Sequence, residues 1–171
     1  MTNQLTLAIA GCTGRMGQAL IAAANGIRTV KLVAGSVRSD TLKPAAGLFV
    51  TSNPAVLAEK AEAMIDFTTP EATIALAREV AKIGGIMVVG TTGFSDGQQK
   101  KLTECAQTAR IVQSGNFSLG VNILESLVER TAALLGEQYD IEISEMHHRH
   151  KKDAPSGTAL MLGRAAAKGR G

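Results

Sequence analysis

Between Glu145 and Thr158 the chain reads E-M-H-H-R-H-K-K-D-A-P-S-G-T. All three histidines of the 171-residue protein fall in this stretch, as His147, His148 and His150, beside Arg149, Lys151 and Lys152. An imidazole gives or takes a proton near neutral pH, and lysine and arginine bind carboxylates and phosphates. The stretch therefore combines proton donors with an anion receptor. A metal site and a solvated basic loop are the competing readings. His147 and His150 have an H-x-x-H spacing, but no cysteine lies nearby, and Glu145 and Asp153 stand at no established ligand spacing. No metal is expected.

A second chemical motif opens the chain. Gly11, Cys12, Thr13, Gly14, Arg15, Met16 and Gly17 follow an apolar run and precede a helical pattern, with glycines spaced G-x-x-G-x-x-G. Glycines permit a tight turn and close backbone approach, and the helix start then offers N–H groups to a pyrophosphate. The commoner fingerprint has glycine where Thr13 stands, and a plain connecting turn is the alternative. Placement between strand and helix favours a dinucleotide. At the end of the next strand, A-G-S-V-R-S carries no acid for ribose hydroxyls before Asp40. Ser36 and Arg38 suit a 2′-phosphate instead, so NADPH is expected to bind at least as well as NADH.

Three further loops fall at the C-terminal ends of predicted parallel strands, where open sheets bind ligands. They are Asp66-Phe67-Thr68-Thr69-Pro70, Gly90-Thr91-Thr92-Gly93 and Ser114-Gly115-Asn116-Phe117. Small and hydroxylated residues there can approach a nicotinamide ring. Each is weak alone, since strand-end glycines are often only turns.

The elements that must position these residues alternate. Strands are predicted at 5–10, 31–36, 63–66, 86–89 and 111–113. Helices are predicted through Leu20 and Ala24, over 55–62, from Pro70 to about Ile83, and from a Ser95/Gln98 capping box to about Thr108. The stretch 37–53 reads as loop. The pattern predicts a Rossmann-like, doubly wound parallel sheet of the α/β class over 1–118. A different unit follows over 119–171, with an amphipathic helix at 121–135, an alternating strand at 139–145 and a helix at 157–167. That strand needs partners, and the sequence supplies none after it. The second unit is expected to be an incomplete α+β domain.

Composition excludes several classes. Aromatics make up 3% with no tryptophan, which argues against stacking on single-stranded nucleic acid. The net charge of +3 is concentrated near the C-terminal third rather than spread in a stripe, which suits a small anion better than nucleic acid. Cys12 and Cys105 are read as free thiols of a reducing compartment. Without a signal-peptide pattern or a membrane-length apolar run, a cytoplasmic protein with no membrane partner is expected.

The segments A-G-C-T-G-R-M-G, I-D-F-T-T-P-E, V-G-T-T-G-F, G-N-F-S-L-G-V-N and E-M-H-H-R-H-K-K-D-A-P-S-G-T-A together resemble the 4-hydroxy-tetrahydrodipicolinate (dihydrodipicolinate) reductase family, in its order and spacing. The resemblance implies NADPH- or NADH-dependent reduction of a cyclic dicarboxylate in the diaminopimelate route to lysine. It implies His147 as acid–base residue and Lys151 as its catalytic partner. His148, Gly157 and Thr158 would bind substrate. The cofactor set would be Gly11 to Met16, Arg38, Gly90 to Thr92 and Ser114 to Phe117. It further implies that residues 119–171 begin a substrate-binding and oligomerisation domain, and that the full-length protein is a homotetramer. Val37 departs from the family, because relatives that prefer NADH carry an acid there. Dehydrogenases of homoserine or aspartate semialdehyde would share the first half, but neither cysteine sits where the semialdehyde enzyme needs its nucleophile. The non-catalytic alternative is an impaired fragment that only binds a dinucleotide.

Overall fold

The computed structural model describes residues 4–38, 47–147, 149 and 154–171. It contains two compact units, 1–113 and 114–171. The first is a six-stranded, wholly parallel sheet in the order β3-β2-β1-β4-β5-β6. Its strands are β1 (Leu5–Ala10), β2 (Val30–Ser36), β3 (Phe49–Thr51), β4 (Ala63–Asp66), β5 (Ile86–Val89) and β6 (Arg110–Gln113). The helices are α1 (Arg15–Ala24), α2 (Pro54–Lys60), α3 (Pro70–Lys82) and α4 (Asp96–Cys105).

The period-2 geometry of β1 explains why both sheet faces are covered. Ala8 and Ala10 point into a core built with Leu57 of α2, Leu76 and Val80 of α3, and Leu102 of α4. The intervening Leu7 and Ile9 pack on the other side, toward Ala24, Leu20 and Ile21 of α1. Leu57, Met64, Met87 and Leu102 are at most 2% exposed, and burial of each contributes about 1.5–3 kcal/mol. Small residues in β1 let helices approach the sheet, and the larger aliphatics fill from the helix side.

The helix starts follow local chemistry. Asn53 caps α2 and Thr69 caps α3, each with proline in the first turn. Ser95 and Gln98 form the expected capping box on α4. The strand β3 lies inside the stretch read as loop. It has three residues on the sheet edge, too few for alternation to show.

The second unit contains α5 (Leu119–Leu135) and α6 (Gly157–Arg170). The two helices pack on each other, and Ala132 of α5 and Ala165 and Ala166 of α6 are each 4–5% exposed. A Cβ on Gly169 would stand 2.2 Å from the Glu129 carbonyl oxygen, so only glycine allows this approach. Lys168 pairs with Glu129 at 2.9 Å. The strand predicted at 139–145 is not formed: among the described residues nothing pairs with it. Its alternation has no sheet to serve, and Ile141 and Ile143 remain exposed.

Candidate active site

The glycine loop follows β1 and enters α1. Gly11 has φ +67°, a left-handed conformation that glycine adopts without strain. Its N–H donates to Ser36 Oγ at 3.0 Å, and Cys12 N–H donates to the Ser36 carbonyl at 2.9 Å. The end of β2 thus holds the loop, and the Ser36 hydroxyl accepts from the loop backbone. A Cβ at Gly17 would stand 2.3 Å from the Gly11 carbonyl oxygen, and one at Gly35 would stand 2.7 Å from Cys12 Sγ. Gly17 is therefore fixed by the backbone of the loop, and Gly35 by the buried Cys12 side chain.

Gly14 caps α1 without a side-chain hydrogen bond. The N–H groups of Arg15 and Met16 find no acceptor among the described residues. A helix start of this kind, with glycine in front, can receive a phosphate oxygen. These residues fit the diphosphate of a dinucleotide. Thr13, Gly14, Arg15 and Met16 are exposed, as such contact requires. Cys12 is fully buried, and burial pushes its thiol pKa up. Arg38 is exposed beyond β2. Asp40 lies outside the described residues.

At the ends of β4 and β5 the hydroxyls turn inward. Asp66 is 0% exposed, and Thr91 is buried as well. Asp66 Oδ1 accepts from Thr68 N–H at 2.7 Å and from Thr68 Oγ1 at 2.6 Å. Thr73 donates to Thr91 Oγ1 at 2.9 Å, and Thr91 donates on to Asp66 Oδ1 at 3.4 Å. Burial pushes the Asp66 carboxyl pKa above its ordinary value, against the pull of the Thr68 and Thr91 hydrogen bonds. The Thr91 hydroxyl is thus engaged within the protein, while Gly90 is half-buried and Thr92 exposed.

In the second unit, S-G-N-F-S builds a hydrogen-bonded turn. Ser114 Oγ donates to the Asn116 carbonyl at 2.7 Å, and Asn116 Oδ1 accepts from Ser118 N–H at 2.7 Å. Asn116 Nδ2 donates to Thr158 Oγ1 at 3.2 Å. Gly115 lies beside Gly157, with Phe117 exposed. The turn therefore meets the start of α6.

That helix start also gathers the acid–base side. Ser156 is buried, and its Oγ accepts from Ala159 N–H at 3.0 Å as the cap of α6. Ser156 N–H donates to Glu145 Oε1 at 2.7 Å, and the Ser156 hydroxyl donates to Glu145 Oε2. The same Oε2 lies 3.5 Å from His147 Nδ1. One carboxylate thus joins His147 to the helix that presents Gly157 and Thr158. His148, His150 and Lys151 lie outside the described residues. The sequence offers Glu145 only as a metal ligand at no established spacing, and Ser156 is not singled out there, although serine before a helical run is a capping signal. A cavity of about 780 Å³ opens against Glu145 and α6, lined by Ile143, Pro155, Leu160 and Arg164. Among the described residues, no group of three or more His, Cys, Asp or Glu side chains converges as a metal site.

The family model described as dihydrodipicolinate reductase, N-terminus, matches residues 5–117, and the one described as its C-terminus matches 120–171. A 4-hydroxy-tetrahydrodipicolinate reductase of Beijerinckia indica is 45% identical over 99% of this chain and 66% of its own length. One of Caulobacter vibrioides is 49% identical over the whole chain and 65% of its own length. A dipicolinate-bound dihydrodipicolinate reductase from Paenisporosarcina sp. TG-14 superposes with a TM-score of 0.78 at 26% identity, covering 98% of this chain and 67% of that one. The chain thus spans about two thirds of the length of the relatives it matches.

Proposed function

The chain belongs to the dihydrodipicolinate reductase family, and from that premise we propose that it carries the reaction machinery of an NAD(P)H-dependent 4-hydroxy-tetrahydrodipicolinate reductase of the diaminopimelate route. Bound NADPH or NADH supplies a hydride to C4 of the substrate ring. The protein's own groups do the rest. Thr13, Arg15 and Met16 hold the diphosphate with backbone N–H groups at the uncapped start of α1, while Gly11, Cys12 and Gly14, whose own N–H groups are bonded within the protein, shape the loop that lets the diphosphate approach. Arg38 faces the adenosine ribose and favours its 2′-phosphate. Gly90, Thr91 and Thr92, with Ser114, Gly115, Asn116 and Phe117, border the nicotinamide.

Once the 4-hydroxyl has left as water with a C3 hydrogen, leaving C3 and C4 doubly bonded, His147 donates the proton that balances the hydride, to C3 of the ring, and Lys151 acts with it. With Nδ1 turned toward Glu145, Nε2 is the nitrogen that donates. His148, the Thr158 hydroxyl and the Gly157 N–H at the start of α6 hold a substrate carboxylate. The observation that carries this reading is the Glu145 bridge between His147 and the capped start of α6, on a chain whose other unit is a dinucleotide-binding sheet. We infer a cytoplasmic homotetramer for the whole enzyme.

The deciding experiment follows the loss of reduced-nicotinamide absorbance when NADPH and the cyclic dicarboxylate are mixed with the protein. Oxidation that depends on the dicarboxylate is expected. Tight NADPH binding without substrate-dependent oxidation would instead assign a dinucleotide-binding module.

A further inference from the structure

A carboxyl group buried completely, with no cation beside it among the described residues, is a costly choice for a strand end. Asp66 makes that choice at the last position of β4, between its register partners Ala10 of β1 and Val89 of β5. Ala10 leads directly into the glycine loop, and Val89 leads into Gly90 to Thr92. In the strand order of this sheet, β1 and β4 flank the point where the order reverses, outside whose carboxyl ends ligands bind.

The side chain joins the loops beyond these strand ends. Oδ1 gathers three donors: the N–H and the hydroxyl of Thr68, and the hydroxyl of Thr91. Thr68 N–H also reaches Thr91 Oγ1 at 3.0 Å, which Thr73 of α3 holds from the other side. The Asp66 carbonyl accepts from Gly90 N–H at 2.8 Å. Thr68 in turn lies against the glycine loop, since a Cβ on Gly11 would stand 2.8 Å from its Cγ2. The Phe67 ring covers Gly90 so closely that a Cβ there would stand 2.0 Å from Cε1. Three loops of one sheet edge are thus tied to one carboxyl.

Stability alone does not call for this group. An apolar residue of similar volume would fill the space without desolvating a carboxyl. Oδ2 has no hydrogen-bond partner among the described residues, which is far less costly for a neutral acid than for a carboxylate. What a carboxyl adds is a fixed geometry: one oxygen can accept from two backbone-anchored loops simultaneously. Loops ordered before the ligand arrives lose less freedom on binding.

We propose that Asp66 is a positioning residue for the dinucleotide, tying the loops after β4 and β5 to each other and to the glycine loop so that the cofactor meets a preformed edge. The proposal rests on the dinucleotide reading above. Asp66 acts through Thr68 and Thr91 and need not touch the cofactor.

The test is a titration of NADPH into the intact wild type and four variants, with thermal unfolding of each. Asp66→Ala is expected to raise the NADPH Kd about tenfold, and Thr73→Val, which removes one hydroxyl while keeping shape, about fivefold. Asp66→Asn keeps an acceptor at Oδ1 and is expected to restore most of the affinity. Glu62→Gln is the matched control at the opposite edge of the sheet, where the Glu62 carboxylate binds Thr6. It is expected to lower Tm and leave the Kd unchanged. If wild type binds NADPH and Thr73→Val and Asp66→Ala bind it equally well, the positioning role is overturned and the dinucleotide reading stands. Should Asp66→Ala fail to fold, an unchanged Kd in Thr73→Val alone overturns the role. A wild type that binds neither NADPH nor NADH sinks both.

Discussion

Asn116 donates its side-chain amide to the hydroxyl oxygen of Thr158 at 3.2 Å. The first residue belongs to the turn expected to border the nicotinamide, the second to the helix start expected to hold a substrate carboxylate. Because the Thr158 oxygen accepts from Asn116, its own O–H is left to donate outward, which is the polarity a carboxylate needs. Thr158→Val should therefore lower kcat/KM for the dicarboxylate about tenfold or more, the loss of a hydrogen bond to a charged group. Asn116→Ala should cost less, and the double variant should cost less than the two together, since they act through one contact. Steady-state kinetics on all three variants checks this, and strict additivity would separate the two residues.

His147 and Lys151 carry the heaviest chemical load in the proposed reaction. His147→Ala and Lys151→Ala should each reduce kcat by about a hundredfold or more while leaving NADPH affinity within about twofold. Turnover near wild type in both would remove the histidine loop from the reaction. Glu145→Gln is a softer probe. It keeps an acceptor for Ser156 but removes the charge beside His147 Nδ1, so kcat should fall while the α6 cap survives. Rapid-quench or steady-state kinetics, with thermal unfolding as the control, distinguishes these effects.

Arg38 is the exposed cation just beyond β2, with Val37 buried before it. A 2′-phosphate placed there would make a charge-assisted contact that NADH cannot make. Arg38→Ala should weaken NADPH about tenfold and leave NADH nearly unchanged. Side-by-side titration of both cofactors is the measurement, and much tighter NADH binding by the wild type would reverse the assignment.

Apart from the three-residue edge strand β3, the parallel sheet was legible because its strands are compact apolar runs punctuated by glycine, proline or a cap. Residues 5–10, 63–66 and 86–89 are β1, β4 and β5 to the residue. Legibility failed where the signal depended on partners. Tyr139 to Glu145 alternates as a strand should, but alternation encodes a face and cannot supply a neighbour, and among the described residues none pairs with it. The amphipathic helix predicted at 121–135 is α5, yet Leu119, Ile123, Leu127 and Leu134 are exposed and Ala132 alone of its residues is buried. In the candidate site, residue types named the histidine loop and the glycine loop. They place Asp66 in a strand-end loop and offer Glu145 only as a metal ligand, but not what either carboxyl bonds, because an acid that binds hydroxyls and caps inside the protein looks in sequence like any surface acid.

The two acids tied to β4 and its lead-in should leave opposite signatures in stability against pH. Burial raises the Asp66 pKa above 3.8 in the folded protein. The folded state then holds its proton where the unfolded chain has already released it. Between about pH 3.8 and the raised value the native state binds more protons, so this group makes stability fall as pH rises. Glu62 behaves oppositely. Its carboxylate accepts from the N–H and hydroxyl of Thr6, which lowers its pKa below 4.5. Its contribution is fully present above that value and is lost as pH falls through the lowered one. Asp66→Asn should therefore gain on wild type as pH rises from about 3.8, whereas Glu62→Gln should gain on wild type only as pH falls below about 4.5. Urea unfolding at a series of pH values reads both slopes. A stability difference between Asp66→Asn and wild type that does not change with pH would mean that the carboxyl is ionised in the fold as readily as in the unfolded chain.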